Sequence, residues 1–165
     1  MLRSDFLCGL GELKRFGLTY DLLIYPKQLP AAIEVLKLLP EQLFVLDHMA
    51  KPPIKSGAIS PWKEQLRELA SFPNVWCKVS GLVTEADGRA WKPENFKAYL
   101  DVVFEAFGED RLMFGSDWPV CLLSATYEQV LGIVDKYCKQ LSTIAHKKVF
   151  GENALKFYGA CSPDL

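Results

Sequence analysis

The sequence predicts an α/β protein built on a parallel sheet, and two observations lead there. Short apolar runs at residues 18–25, 43–46, 75–81 and 112–114 alternate with stretches of helical spacing. Strand, helix, strand, helix in that order requires crossovers between parallel strands. The runs also end abruptly in reactive side chains, Asp47-His48, Ser80 and Asp117. Parallel strands emerge on one side, so these ends, together with Tyr25, share a rim, and that rim is where ligands bind in such sheets.

Residues 4–16 have helical spacing, with Phe6, Leu10, Leu13 and Phe16 on one face, Ser4 as N-cap and Gly17 just past the end. The run 18–25 is apolar enough to read as a strand buried on both faces, and Pro26 ends it. Pro30 opens a helix with Ile33, Leu36 and Leu39 inward, and Pro40 stops it. After the second strand comes Asp47-His48-Met49-Ala50-Lys51-Pro52-Pro53, then a loop to Ser60-Pro61, a helix start whose stripe is Trp62, Leu66 and Leu69. The third strand contains Lys78, which is costly there unless its ammonium is paired or lines a polar cavity. A polar loop with Glu85, Asp87 and Arg89 follows, then a helix from Pro93 to Gly108 bearing Phe96, Leu100, Val103 and Phe107. The fourth strand runs into Gly115-Ser116-Asp117-Trp118-Pro119. Helices over 126–140 and 142–158 finish the chain, the second one kinked near Gly151.

Composition excludes several classes of partner. The 165 residues suit one domain, and a net charge of −1 gives no attraction for nucleic acid or an anionic membrane. No apolar run reaches the ~18 residues of a membrane span. Arg3, Asp5 and Glu12 interrupt the N-terminal pattern, unlike a secretory signal. Five cysteines, at 8, 77, 121, 138 and 161, form no C-x-x-C pair. An odd, scattered set argues for a reducing, cytoplasmic compartment rather than a disulfide framework or zinc knuckle. Cys77 reads as a small core residue.

The rim residues suit hydrolysis. A carboxylate can activate water as a general base, and an imidazole or ammonium can steady an oxyanion. Each residue also has a plainer reading. Asp117 can cap the following helix, His48 can be a satisfied histidine at a buried strand end, and Lys51 can be a surface lysine. Lys78 can snorkel out of the sheet. Trp118 can be core or can stack on a ligand, and His146, beside Lys147 and Lys148, reads as solvated. One His and one Asp do not hold zinc alone.

The runs YDLLIYPKQLP, FVLDHMAKPPI, NVWCKVSGLVTEAD and RLMFGSDWPVC, in this order, with the closing FGENALKFY, resemble the amidohydrolase-related branch of the amidohydrolase superfamily. The likeness is greatest to its sugar-lactonase members, the L-fucono- and L-rhamnono-lactone hydrolases, and it spans residues 5–158. It implies a (β/α)8 TIM barrel, of which residues 1–165 would be a partial domain holding strands five to eight. It implies that Asp117 activates a water, and that His48 contacts substrate or metal. His48, Lys51, Lys78 and Trp118 would bind a small sugar lactone. A divalent metal such as zinc, if bound, would meet Asp117 and His48.

The family's His-x-His on its first strand is absent here, since His48 and His146 are the only histidines. A whole barrel takes roughly 250 residues. Met1 is therefore expected to be an internal start. A half barrel has two open sheet edges and an uncovered inner face, which favour self-association. Two alternatives remain: a metal-dependent decarboxylase of the same superfamily, or a non-catalytic form acting by association.

Overall fold

The computed structural model describes residues 1–159. Cys161 lies outside them. Four parallel strands, β1 (Tyr20–Leu22), β2 (Phe44–Leu46), β3 (Val75–Val79) and β4 (Leu112–Phe114), lie side by side in chain order. Helices α1 (Ser4–Leu13), α2 (Leu29–Leu38), α3 (Trp62–Ala70), α4 (Glu94–Phe107) and α5 (Tyr127–Leu141) accompany them, and α6 (Thr143–Lys147) leads into α7 (Asn153–Tyr158). Register pairs Leu22 with Leu46, Leu46 with Cys77 and Cys77 with Leu112. That row, with Phe44, Val75 and Val79, faces the helices and forms the main core with Leu36, Trp62, Leu66, Phe96 and Val103.

The first strand differs from expectation. Its pairing stops at Leu22, and burial alternates from there: Leu22 and Ile24 are buried, whereas Leu23 is 61% and Tyr25 53% exposed. Leu22 and Ile24 join the main core on the helix-facing side, whereas the second cluster covers the other face at Val45, Trp76 and Met113 and includes no residue of this run. Ser4 is the first helical residue rather than the cap, a place taken by Arg3 without a side-chain hydrogen bond. The kink foreseen near Gly151 is a single π turn, Lys148–Glu152, between α6 and α7.

That turn redirects α7 across the other face of the sheet. Phe157 meets Trp76 with ring centroids 5.4 Å apart, and Val45 and Met113 complete a second, smaller cluster. The inner face is thus partly covered by the chain's own last helix, which corrects the expectation of an uncovered one. Asn153 anchors the helix by donating its amide to the carbonyls of Glu109 and Leu112, each at 2.7 Å.

Two buried amides and a part-buried guanidinium tie the strand entries together in the same way. Asn74 donates to Leu39 and Gln42, Gln42 donates to Leu18 and Leu43, and Arg111 donates to Ala70, Phe72 and Val75. A buried carbonyl without a donor costs about 1–3 kcal/mol. These side chains cross-link the entry ends of the strands.

Candidate active site at the strand exits

β2 delivers Asp47 and His48, β3 delivers Ser80 and Gly81, and β4 delivers Asp117. Directly after β2 the backbone enters the left-handed region and stays there for four residues, His48, Met49, Ala50 and Lys51, with φ between 51° and 57°. A left-handed L-residue costs about 1–2 kcal/mol, and none of the four is glycine. The turn is held because Met49 and Ala50 are completely buried. The Trp62 indole N–H donates to the Met49 carbonyl at 2.9 Å, and the Lys51 N–H to the His48 carbonyl at 2.8 Å. Strain of this kind gathers at functional sites.

The turn swings His48 across to β3 and β4. Its Nδ1 lies 2.8 Å from Ser80 Oγ, and its Nε2 3.7 Å from Asp117 Oδ1. Both side chains are largely enclosed, at 17% and 13% exposure. Gly81, at φ +65°, passes so near that a Cβ there would stand 2.8 Å from the His48 Cβ and 3.1 Å from its Nδ1. Asp117 is itself left-handed, at φ 56°. Its backbone carbonyl, not its carboxylate, accepts from the Cys121 N–H that opens the next turn. The carboxylate is turned towards His48 instead, so the capping alternative does not describe it.

The two lysines are engaged elsewhere. Lys78 reaches Asp21 on β1 and lies 2.8 Å from Asp47 Oδ1, off the axis of a good hydrogen bond. Burial alone would lower the Lys78 ammonium. Asp21, Asp47 and the Tyr158 hydroxyl outweigh burial and hold it above the ordinary lysine range. The in-strand lysine is therefore paired, the first of the two conditions for tolerating it. Lys51 pairs with Glu85 at 3.2 Å and stands 5.4 Å from the Tyr25 ring centre. Trp118 is 64% exposed, which rules out a core role. His146 is not simply solvated: its Nε2 lies 2.8 Å from Asp135 and its ring stacks on Phe150 at 4.4 Å.

Sequence reasoning placed Ser80 at the rim but missed its bond to His48, and missed the left-handed turn altogether. Gly81 directly after a strand was the one local signal of a close approach. As for a metal, His48 and Asp117 offer two donors where a catalytic zinc uses three protein ligands. Among the described residues no group of three or more His, Cys, Asp or Glu could hold an ion. These residues by themselves do not make a zinc site. A groove of about 470 Å³ between α4 and α5, floored by Leu100, Ile133 and Tyr137, lies in the helical layer and includes none of the rim residues.

Comparison with known proteins places the fold in a family. A family model described as amidohydrolase matches residues 6–160. An L-fucono-1,5-lactonase of Burkholderia multivorans is 38% identical over 97% of this chain, and one of Burkholderia ambifaria 40% identical over 86%. The chain spans only 57% and 50% of those two proteins. The crystal structure of a Burkholderia multivorans amidohydrolase with bound zinc superposes with a TM-score of 0.91 at 40% identity, covering 95% of this chain and 58% of that one. The four βα units are thus part of a barrel of the (β/α)8 type.

Proposed function

The chain belongs to the amidohydrolase family, and from that premise we propose that it supplies the C-terminal half of a site that opens a sugar lactone. The carrying observation is the enclosed His48–Asp117 pair, brought to 3.7 Å from the exits of β2 and β4 across β3. A gap of that size leaves each group free to meet a third species rather than satisfying the other. The two Burkholderia lactonases support the substrate class.

In this reading Asp117 takes a proton from water as the oxygen attacks the lactone carbonyl. His48 steadies the oxygen that becomes negative. The tetrahedral intermediate collapses with cleavage of the ring C–O bond, the leaving alkoxide takes the proton that Asp117 had accepted from water, and the new carboxylic acid ionises. The products are a carboxylate with a free hydroxyl and, at neutral pH, one proton released to solvent. Lys51 and Trp118 lie at the rim to meet sugar hydroxyls, and Lys78 acts through Asp47 beneath them. His48 and Asp117 alone do not hold a catalytic zinc, which takes three protein ligands.

Further strands are needed to close an eight-stranded barrel. The free sides of β1 and β4 are where they would add, and self-association through those edges belongs to the same proposal. The test is proton release on a panel of aldonolactones in a pH-stat, with the chain beside Asp117→Asn. Turnover above spontaneous opening that vanishes in the variant, and rises with protein concentration as the chain dimerises in sedimentation equilibrium, is the expected result. Equal rates for the two proteins would refute catalysis by this chain.

A further inference from the structure

We propose that Ser80 is a positioning residue that locks the His48 imidazole in the Nε2–H tautomer. The 2.8 Å contact between Ser80 Oγ and His48 Nδ1 can run in either direction. If Nδ1–H were the donor, the serine hydroxyl proton would need an acceptor of its own. Ser80 is only 2% exposed, and its one side-chain hydrogen bond among the described residues is to His48. A buried hydroxyl proton with no acceptor is costly, so the hydroxyl donates and Nδ1 accepts. The ring proton then sits on Nε2.

The far side of the ring gives the same answer independently. Nε2 faces Asp117 Oδ1 at 3.7 Å, where an N–H is attracted and a lone pair repelled. Two glycines keep the arrangement tight. A Cβ on Gly81 would lie 3.1 Å from His48 Nδ1, and one on Gly115 would lie 3.1 Å from the Ser80 Cβ and 3.4 Å from its Oγ. The glycines thus let backbone stand directly against Ser80 and the ring.

The placement holds whether or not the lactonase reading does. Its consequence rests on that reading: His48 then presents a hydrogen-bond donor to the substrate oxygen, and the proton of the attacking water is left to Asp117. A histidine in the other tautomer would offer a lone pair at the same point and repel a developing oxyanion.

The experiment is a long-range proton–nitrogen NMR correlation on the chain labelled with 15N-histidine at pH 8, where an ordinary imidazole is neutral. Only His48 and His146 contribute, and His146→Gln assigns them. The expected His48 pattern is a protonated Nε2 and an acceptor-type Nδ1. In Ser80→Ala the ratio of Nε2–H to Nδ1–H falls about fivefold, the worth of one hydrogen bond, and Ser80→Thr restores it. A protonated Nδ1 in the unaltered chain would overturn the proposal. So would nitrogen shifts that Ser80→Ala leaves in place. The unaltered spectrum decides even if Ser80→Ala does not fold. Because the readout is the ring, not turnover, an inactive chain with the predicted spectrum would refute only the lactonase reading.

Discussion

Gly81→Ala tests whether the close approach of β3 to the imidazole is real. Two penalties add there. The residue sits at φ +65°, and a Cβ in the left-handed region costs about 1–2 kcal/mol. The same Cβ would be 2.8 Å from the His48 Cβ and 3.0 Å from its Cγ, and the imidazole is pinned by Ser80. Overpacking of that kind costs about 1–3 kcal/mol, for a total of about 2–5 kcal/mol. Gly57 separates the two terms, because it has φ +70° with nothing within 4 Å of its would-be Cβ. Gly57→Ala should therefore lose only the backbone share. Urea unfolding at pH 8 measures both variants, with unchanged slopes as the check that midpoints report stability. For a chain of this size each kcal/mol is worth roughly 2–4 °C in Tm. If Gly81→Ala is no more destabilised than Gly57→Ala, the imidazole is not held against β3, and the account of how His48 is aimed fails.

Other predictions address the supports of the site. Asn153→Ala removes the donors to Glu109 and Leu112 and should cost about 1–3 kcal/mol, with faster hydrogen exchange in α7 as the specific sign. Lys78→Met should show its largest loss of stability relative to the parent at neutral pH. The parent's ammonium is held above its ordinary value by Asp21, Asp47 and Tyr158 against the effect of burial. Its contribution is therefore complete below the unfolded value, about 10.4, and lost as pH rises through the folded one. The gap between parent and variant in urea midpoint should narrow above about pH 10, and a gap that widens there would be the wrong sign. Among the described cysteines, Cys8 is exposed while Cys77, Cys121 and Cys138 are buried. Burial also pushes the Cys138 thiol up to about 11. Cys8→Ser should accordingly remove one fast-reacting thiol in a native titration with a disulfide reagent at pH 8, and Cys138→Ser none.

Much of this architecture follows from the order of residues alone. Alternating apolar runs and helical stripes dictate parallel strands, because nothing else connects them through helices. Strand exits carrying Asp47, His48, Ser80 and Asp117 dictate which end of the sheet gathers the polar side chains. Local patterning is sufficient there, since burial and the period of each element act within a few residues. Other features depend on contacts between residues far apart in the chain. Leu23 looks like core and is exposed, because it alternates to the face opposite the helices while Leu22 and Ile24 join the core. Lys78 looks free to bind a ligand and is held by Asp21, 57 residues away. The left-handed turn at His48–Lys51 has no local preference behind it, and exists because Trp62 and the buried Met49 and Ala50 outweigh its strain. The aim of His48, at Ser80 on one side and Asp117 on the other, comes from three strand exits meeting in space. That meeting is a property of sheet register, which no single segment of the sequence contains.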